Sequence, residues 1–175
     1  VQNTTTLTIM PRYTIAGEHI SQMIFLMASL NQMKDFSGYY SADAPSRDIG
    51  THQFSLNYNI SFPSRSLSFF SALNYSNMSS ATVKSRYSGI SLGGNYALFD
   101  NKLQTGISGS LMQNKTGDSS STIFNGSLNA SYALSKMHAL RGMLFLTNNR
   151  SEVNVSGGYP SFRETRAEIS YQFTW

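Results

Sequence analysis

Residues 167–175 read Ala167-Glu168-Ile169-Ser170-Tyr171-Gln172-Phe173-Thr174-Trp175. Ala167, Ile169, Tyr171, Phe173 and Trp175 alternate with Glu168, Ser170, Gln172 and Thr174, which is the two-residue period of a strand with one greasy and one polar side. Terminal residues usually fray into water, so a terminal aromatic suits a strand lodged in something other than water. A strand between lipid and a wet interior needs this alternation, with aromatics near the membrane interface.

The same alternation recurs about nine times, each run closed by a turn signal. Residues 7–15 set Leu7, Ile9, Tyr13 and Ile15 against Thr6, Thr8, Arg12 and Thr14, with Pro11 interrupting the ladder. Phe54, Leu56, Tyr58, Ile60 and Phe62 alternate without a break with Gln53, Ser55, Asn57, Asn59 and Ser61. Helix formers at a three-to-four spacing are scarce, and no composition shift divides the chain, so residues 1–175 read as one all-β domain.

Composition narrows the class. Charged residues make up 13% of the 175, against about 25% in ordinary globular proteins, and 40% are hydrophobic. The longest apolar run, Met23 to Ala28, is far shorter than the roughly 20 residues of a membrane helix. Ser, Thr, Asn and Gly fill the polar positions, where a soluble β-sandwich would carry Lys, Glu and Arg. Cysteine is absent, which removes disulfides, thiolate metal sites and cysteine nucleophiles. The net charge of +4 comes from 13 basic residues spread along the chain, with no linear cluster, so nucleic acid is not an expected partner.

The last strand resembles the C-terminal strand of bacterial outer-membrane β-barrels. That resemblance implies that Ile169, Tyr171, Phe173 and Trp175 form a signal for the barrel assembly machinery. Ser170 stands where that signal often has glycine. The implied partners are outer-membrane lipid, the assembly machinery, and further barrel strands or a partner protein. The expected location is the bacterial outer membrane.

Connections read as alternately short and long. Residues 16–18, 63–65, 100–101 and 135–137 are tight turns, whereas 34–51, 79–86, 115–121 and 149–160 read as longer loops. Outer-membrane barrels have short periplasmic turns and long outer loops, which puts the C-terminus in the periplasm. Nine spanning strands is an odd number and bacterial single-chain barrels have even numbers. The expectation is therefore the C-terminal part of a larger barrel, or a complete eight-stranded one if the run through Pro11 does not span.

The residues with chemical potential are few. His19, His52 and His138 are too scattered to share a metal or a reaction centre. His19 and Ser21 share a face, but no third residue orients the imidazole. No cofactor and no enzyme is expected. Arg12, Arg141, Glu164, Arg166 and Glu168 have polar-face parity and are candidate lumen charges. If Asn148 lies opposite Ser161, Arg141 falls opposite Glu168. Met23, Phe25, Met27, Phe70, Met143 and Phe145 also carry polar-face parity; packing against something inside the barrel is the first expectation, and a stretch of wall facing another protein is the alternative. Gly89, Gly93, Gly94, Gly106, Gly109 and Gly126 permit bending or leave room beside the backbone. The expected function is the wall of a pore, transporter or translocation channel. The alternative is a membrane anchor for a surface or periplasmic module.

Overall fold

A computed structural model describes residues 2–35, 48–81, 83–135, 137–152 and 161–173. β-Branched, aromatic and small polar residues in period-two runs form ten strands of one antiparallel sheet. In chain order these are β1 (Gln2–Ile9), β2 (Arg12–Ala16), β3 (Ser21–Asp35), β4 (Ile49–Phe62) and β5 (Leu67–Ser80). They continue as β6 (Lys84–Leu98), β7 (Leu103–Thr116), β8 (Ser119–Ala133), β9 (His138–Glu152) and β10 (Phe162–Phe173). Each strand from β3 onward pairs with the next in the chain, and both β1 and β2 pair with β3. The sheet is not closed: β1–β2 forms one edge and β10 the other.

β1 and β2 are one spanning line. Ile9 pairs with Ala28 and Arg12 with Phe25, so the register runs through Met10-Pro11 without a slip. The backbone N–H of Leu26 donates to the Pro11 carbonyl at 3.1 Å. In an antiparallel ladder one residue's N–H and C=O point the same way, so Pro11 faces β3 and its missing donor costs one rung there. The free edge keeps its own row of N–H groups, from residues such as Thr8 and Arg12. The described residues therefore form nine strand lines.

Paired residues share a face, so the register sorts the whole sheet. One face carries Leu7, Leu26, Phe54–Phe62 at even numbers, Leu73, Ile90, Ile107, Leu128, Leu144 and Ile169. The other carries Ser, Thr, Asn and Gln with the candidate charges. No apolar side chain among the described residues is buried, and the most buried polar ones are Ser55 and Asn149. A soluble domain must pack its greasy faces on one another. Among the described residues a single layer leaves the apolar face without a protein partner, unlike the paired sheets of a β-sandwich. Along β4 that face runs from Phe54 to Phe62, about 26 Å at roughly 3.3 Å per residue.

Turn chemistry matches the short connections. Asp100 and Asn101 both adopt left-handed backbone (φ 54° and 67°) between β6 and β7, and Lys102 N–H closes the turn on the Phe99 carbonyl at 3.1 Å. Asp and Asn tolerate that conformation better than other side-chain-bearing residues. Two of the four expected long loops are corrected. β5 passes to β6 through 81–83, and β7 to β8 through Gly117-Asp118 alone. Ladder pairing continues to Ser79–Lys84 and Thr116–Ser119. Beyond the lipid band nothing demands apolar alternation, so paired strand ends rich in Ser, Thr and Asn look like loop in the sequence.

Candidate functional site

The polar face gathers four of the five candidate charges at β9–β10 and leaves the fifth apart. Glu164 lies opposite Thr147, Arg166 opposite Phe145, Glu168 opposite Met143, and Arg141 opposite Ser170. Arg12 is on β2 at the other edge, opposite Phe25. The expected cross-strand Arg141–Glu168 pair is therefore corrected: the register differs by two residues. A slip of two keeps every side chain on its face, so parity in the sequence fixes the face but leaves this register open. Glu168 instead pairs along its own strand with Arg166, at 3.4 Å between side chains 69% and 49% exposed. Such an exposed pair contributes about 0–1 kcal/mol.

Met23, Phe25 and Met27 do lie on the polar face, opposite Asn59, Asn57 and Ser55. Met143 and Phe145 lie beside the charges of β10, and Phe70 lies over Gly93. A Cβ on Gly93 would sit 2.4 Å from the Phe70 ring, and one on Gly94 would sit 2.8 Å from the Phe69 ring on the opposite face. Gly106, where a Cβ would sit 2.6 Å from the Asn95 side chain, is crowded to the same degree.

On the apolar face, His138 hydrogen-bonds through Nδ1 to the Tyr171 hydroxyl and packs on Phe173, with ring centroids 5.0 Å apart. This cluster of amphipathic rings closes the short-turn end of β9–β10, where an interfacial girdle belongs. Ile169 is 80% exposed on the same face, in line with Tyr171 and Phe173. Trp175 lies outside the described residues. Ser21 begins β3 on the polar face and His19 precedes it in the turn; no group of three or more metal-ligating side chains occurs among the described residues.

An apolar groove of about 690 Å³ crosses β4–β9. Phe69, Leu92, Ile107, Phe124, Leu144 and Leu146 wall it, and all share the apolar face. Gly109 and Gly126 lie directly opposite each other within it. A Cβ on either would meet nothing closer than 3.7 Å, so neither crowding nor a left-handed backbone demands glycine there.

Sequence reasoning missed a cationic rim. Lys34, Lys84, Arg86, Lys115, Arg150 and Arg163 all have apolar-face parity and are exposed at the end of the sheet away from His138. They lie in five different strands, so no linear cluster reveals them. The legible signal was their parity: Arg86 is in step with Ile90 and Leu92, and Lys115 with Ile107 and Leu111.

No family model matches the chain, and no curated protein does. Solved structures do. The loop L8 deletion mutant of OmpT, an outer membrane protein of Vibrio cholerae, matches with a TM-score of 0.61 and 9% identity. That match covers 97% of this chain and 54% of the other. In-vitro folded OmpT of the same organism matches at 0.58 and 8%, over 94% of this chain and 63% of that one. The chain thus spans roughly half to two-thirds of the structures it resembles. One expectation is corrected by this finding. The expected absence of enzymatic activity does not stand, because a barrel fold shared at 9% identity hosts unrelated activities. What the likeness and the register together establish is the fold, an antiparallel sheet with one apolar and one polar face, as in outer-membrane β-barrels.

Proposed function

We propose that this sheet is part of the wall of an aqueous pore or transport barrel in a bacterial outer membrane. The observation that carries the reading is the uncovered apolar face: no apolar side chain among the described residues is buried, so lipid must supply what a core supplies elsewhere. The polar face of Ser, Asn, Thr and Gln then lines the wet side, with Arg12, Arg141, Glu164, Arg166 and Glu168 as its charges. The end with the short turns and the C-terminus of β10 lies toward the periplasm. An open strand edge is untenable in lipid, so further strands cover β1–β2 and β10 in the assembled wall.

Planar bilayers test the proposal. The protein inserted from detergent should give discrete conductance steps, and replacing Arg166 with Glu should shift ion selectivity toward cations. A second reading, an anchor with a filled interior, is favoured by the apolar stripe Met23-Phe25-Met27 on the polar face. Inserted protein that stays electrically silent would decide for the anchor and against the pore.

A further inference from the structure

The rim and the groove belong to the same strands. Arg86 and Lys115 lie directly opposite each other across β6 and β7, and Lys84 is two residues further along β6 on the same face. Like charges directly opposed destabilise a sheet. In their cross-strand row the neighbours are Asn77, then Ser120, and the first carboxylate is Glu152 on β9. Asp118, in the turn after β7, is the nearest carboxylate along the chain. All three cations are exposed on the face that meets lipid, where a solvent-exposed lumen charge would not be.

Directly below them the same two strands enter the apolar groove. Gly109 is six residues from Lys115, about 20 Å along the strand. At a tilt of 35–45° this corresponds to roughly 15 Å of depth, half of the roughly 30 Å hydrocarbon core. The opposed Gly109–Gly126 pair leaves space at that depth that no atom of the described residues fills. Glycine inside a strand weakens it, so the empty floor has a cost that packing does not explain.

We propose that the outer face of β6–β8 is a binding site for a phosphorylated membrane lipid. Its headgroup phosphate sits between Arg86 and Lys115 with Lys84 beside them, and an acyl chain runs down to the Gly109–Gly126 groove. Charge complementarity selects the phosphate, and the groove selects the chain; an occupant with only one of these would leave the other half unfilled. The site rests on the apolar face being in lipid.

The full chain, inserted into phosphatidylcholine bilayers doped with lipid A and released for native mass spectrometry, should retain lipid A. Arg86→Gln with Lys115→Gln should lower retention roughly thirty-fold, the loss expected for two interfacial cations. Gly109→Leu with Gly126→Leu keeps the charges and a lipid-compatible surface, and should lower retention several-fold. Arg65→Gln with Lys102→Gln, at the other end, should leave it unchanged. Equal retention by wild type and Arg86→Gln/Lys115→Gln would overturn the site while leaving the wall intact. Inorganic pyrophosphate binding as tightly as lipid A would reduce it to a bare phosphate site and overturn the lipid assignment. Failure to insert into bilayers of any composition would overturn the wall reading and this site with it.

Discussion

Arginine at Ile107 is expected to destabilise the folded protein in bilayers by about 2–4 kcal/mol, the cost of a cation at mid-depth on a lipid-facing strand. Ile107 is 65% exposed on the apolar face, with Gly94 and Leu128 beside it and no polar partner in reach of its row. Arginine one residue on, at Ser108, enters the polar face. It loses the 2.7 Å hydroxyl contact with Ser127 and should cost about 1 kcal/mol. Urea unfolding of both variants in the same vesicles measures the difference. Equal costs at the two positions would mean that the faces are not in different solvents.

The second large effect concerns Gly93. An alanine methyl there would lie 2.4 Å from the Phe70 ring and 2.8 Å from the Ile107 carbonyl oxygen. The ring can turn away but the carbonyl belongs to the neighbouring ladder, so Gly93→Ala should cost about 1–3 kcal/mol through strain. At Gly142 an added methyl meets nothing within 4 Å, and Gly142→Ala should be neutral or stabilising by up to about 1 kcal/mol. Adding Phe70→Ala to Gly93→Ala should recover only the part of the loss that comes from the ring. Full recovery would show that the carbonyl contact does not matter.

The faces were legible in the sequence because lipid demands a strict period of two. From Phe54 to Phe62 and from Ala167 to Phe173 the alternation placed every side chain on the face the sheet gives it. Pro11 hid the continuity of β1 and β2, because a lost donor looks like a broken strand when its direction is unknown. Strand ends outside the lipid band were invisible for the opposite reason: Lys84 and Thr116 still pair, but water imposes no pattern on them. Register was legible only to within two residues, which displaced Arg141 from Glu168. The rim of cations and the glycine floor needed pairing information, since Arg86 and Lys115, like Gly109 and Gly126, meet only when β6, β7 and β8 lie side by side.

In the proposed wall one face of this sheet meets lipid and the other meets water. Nitroxide labels placed singly at each residue from 54 to 62, in protein reconstituted into bilayers, test it most directly. Accessibility to oxygen should peak at Phe54, Leu56, Tyr58, Ile60 and Phe62, and accessibility to a water-soluble nickel complex at Ser55, Asn57, Asn59 and Ser61. Inverted peaks, or uniform access to the nickel complex along the strand, would mean that the two faces do not meet different solvents.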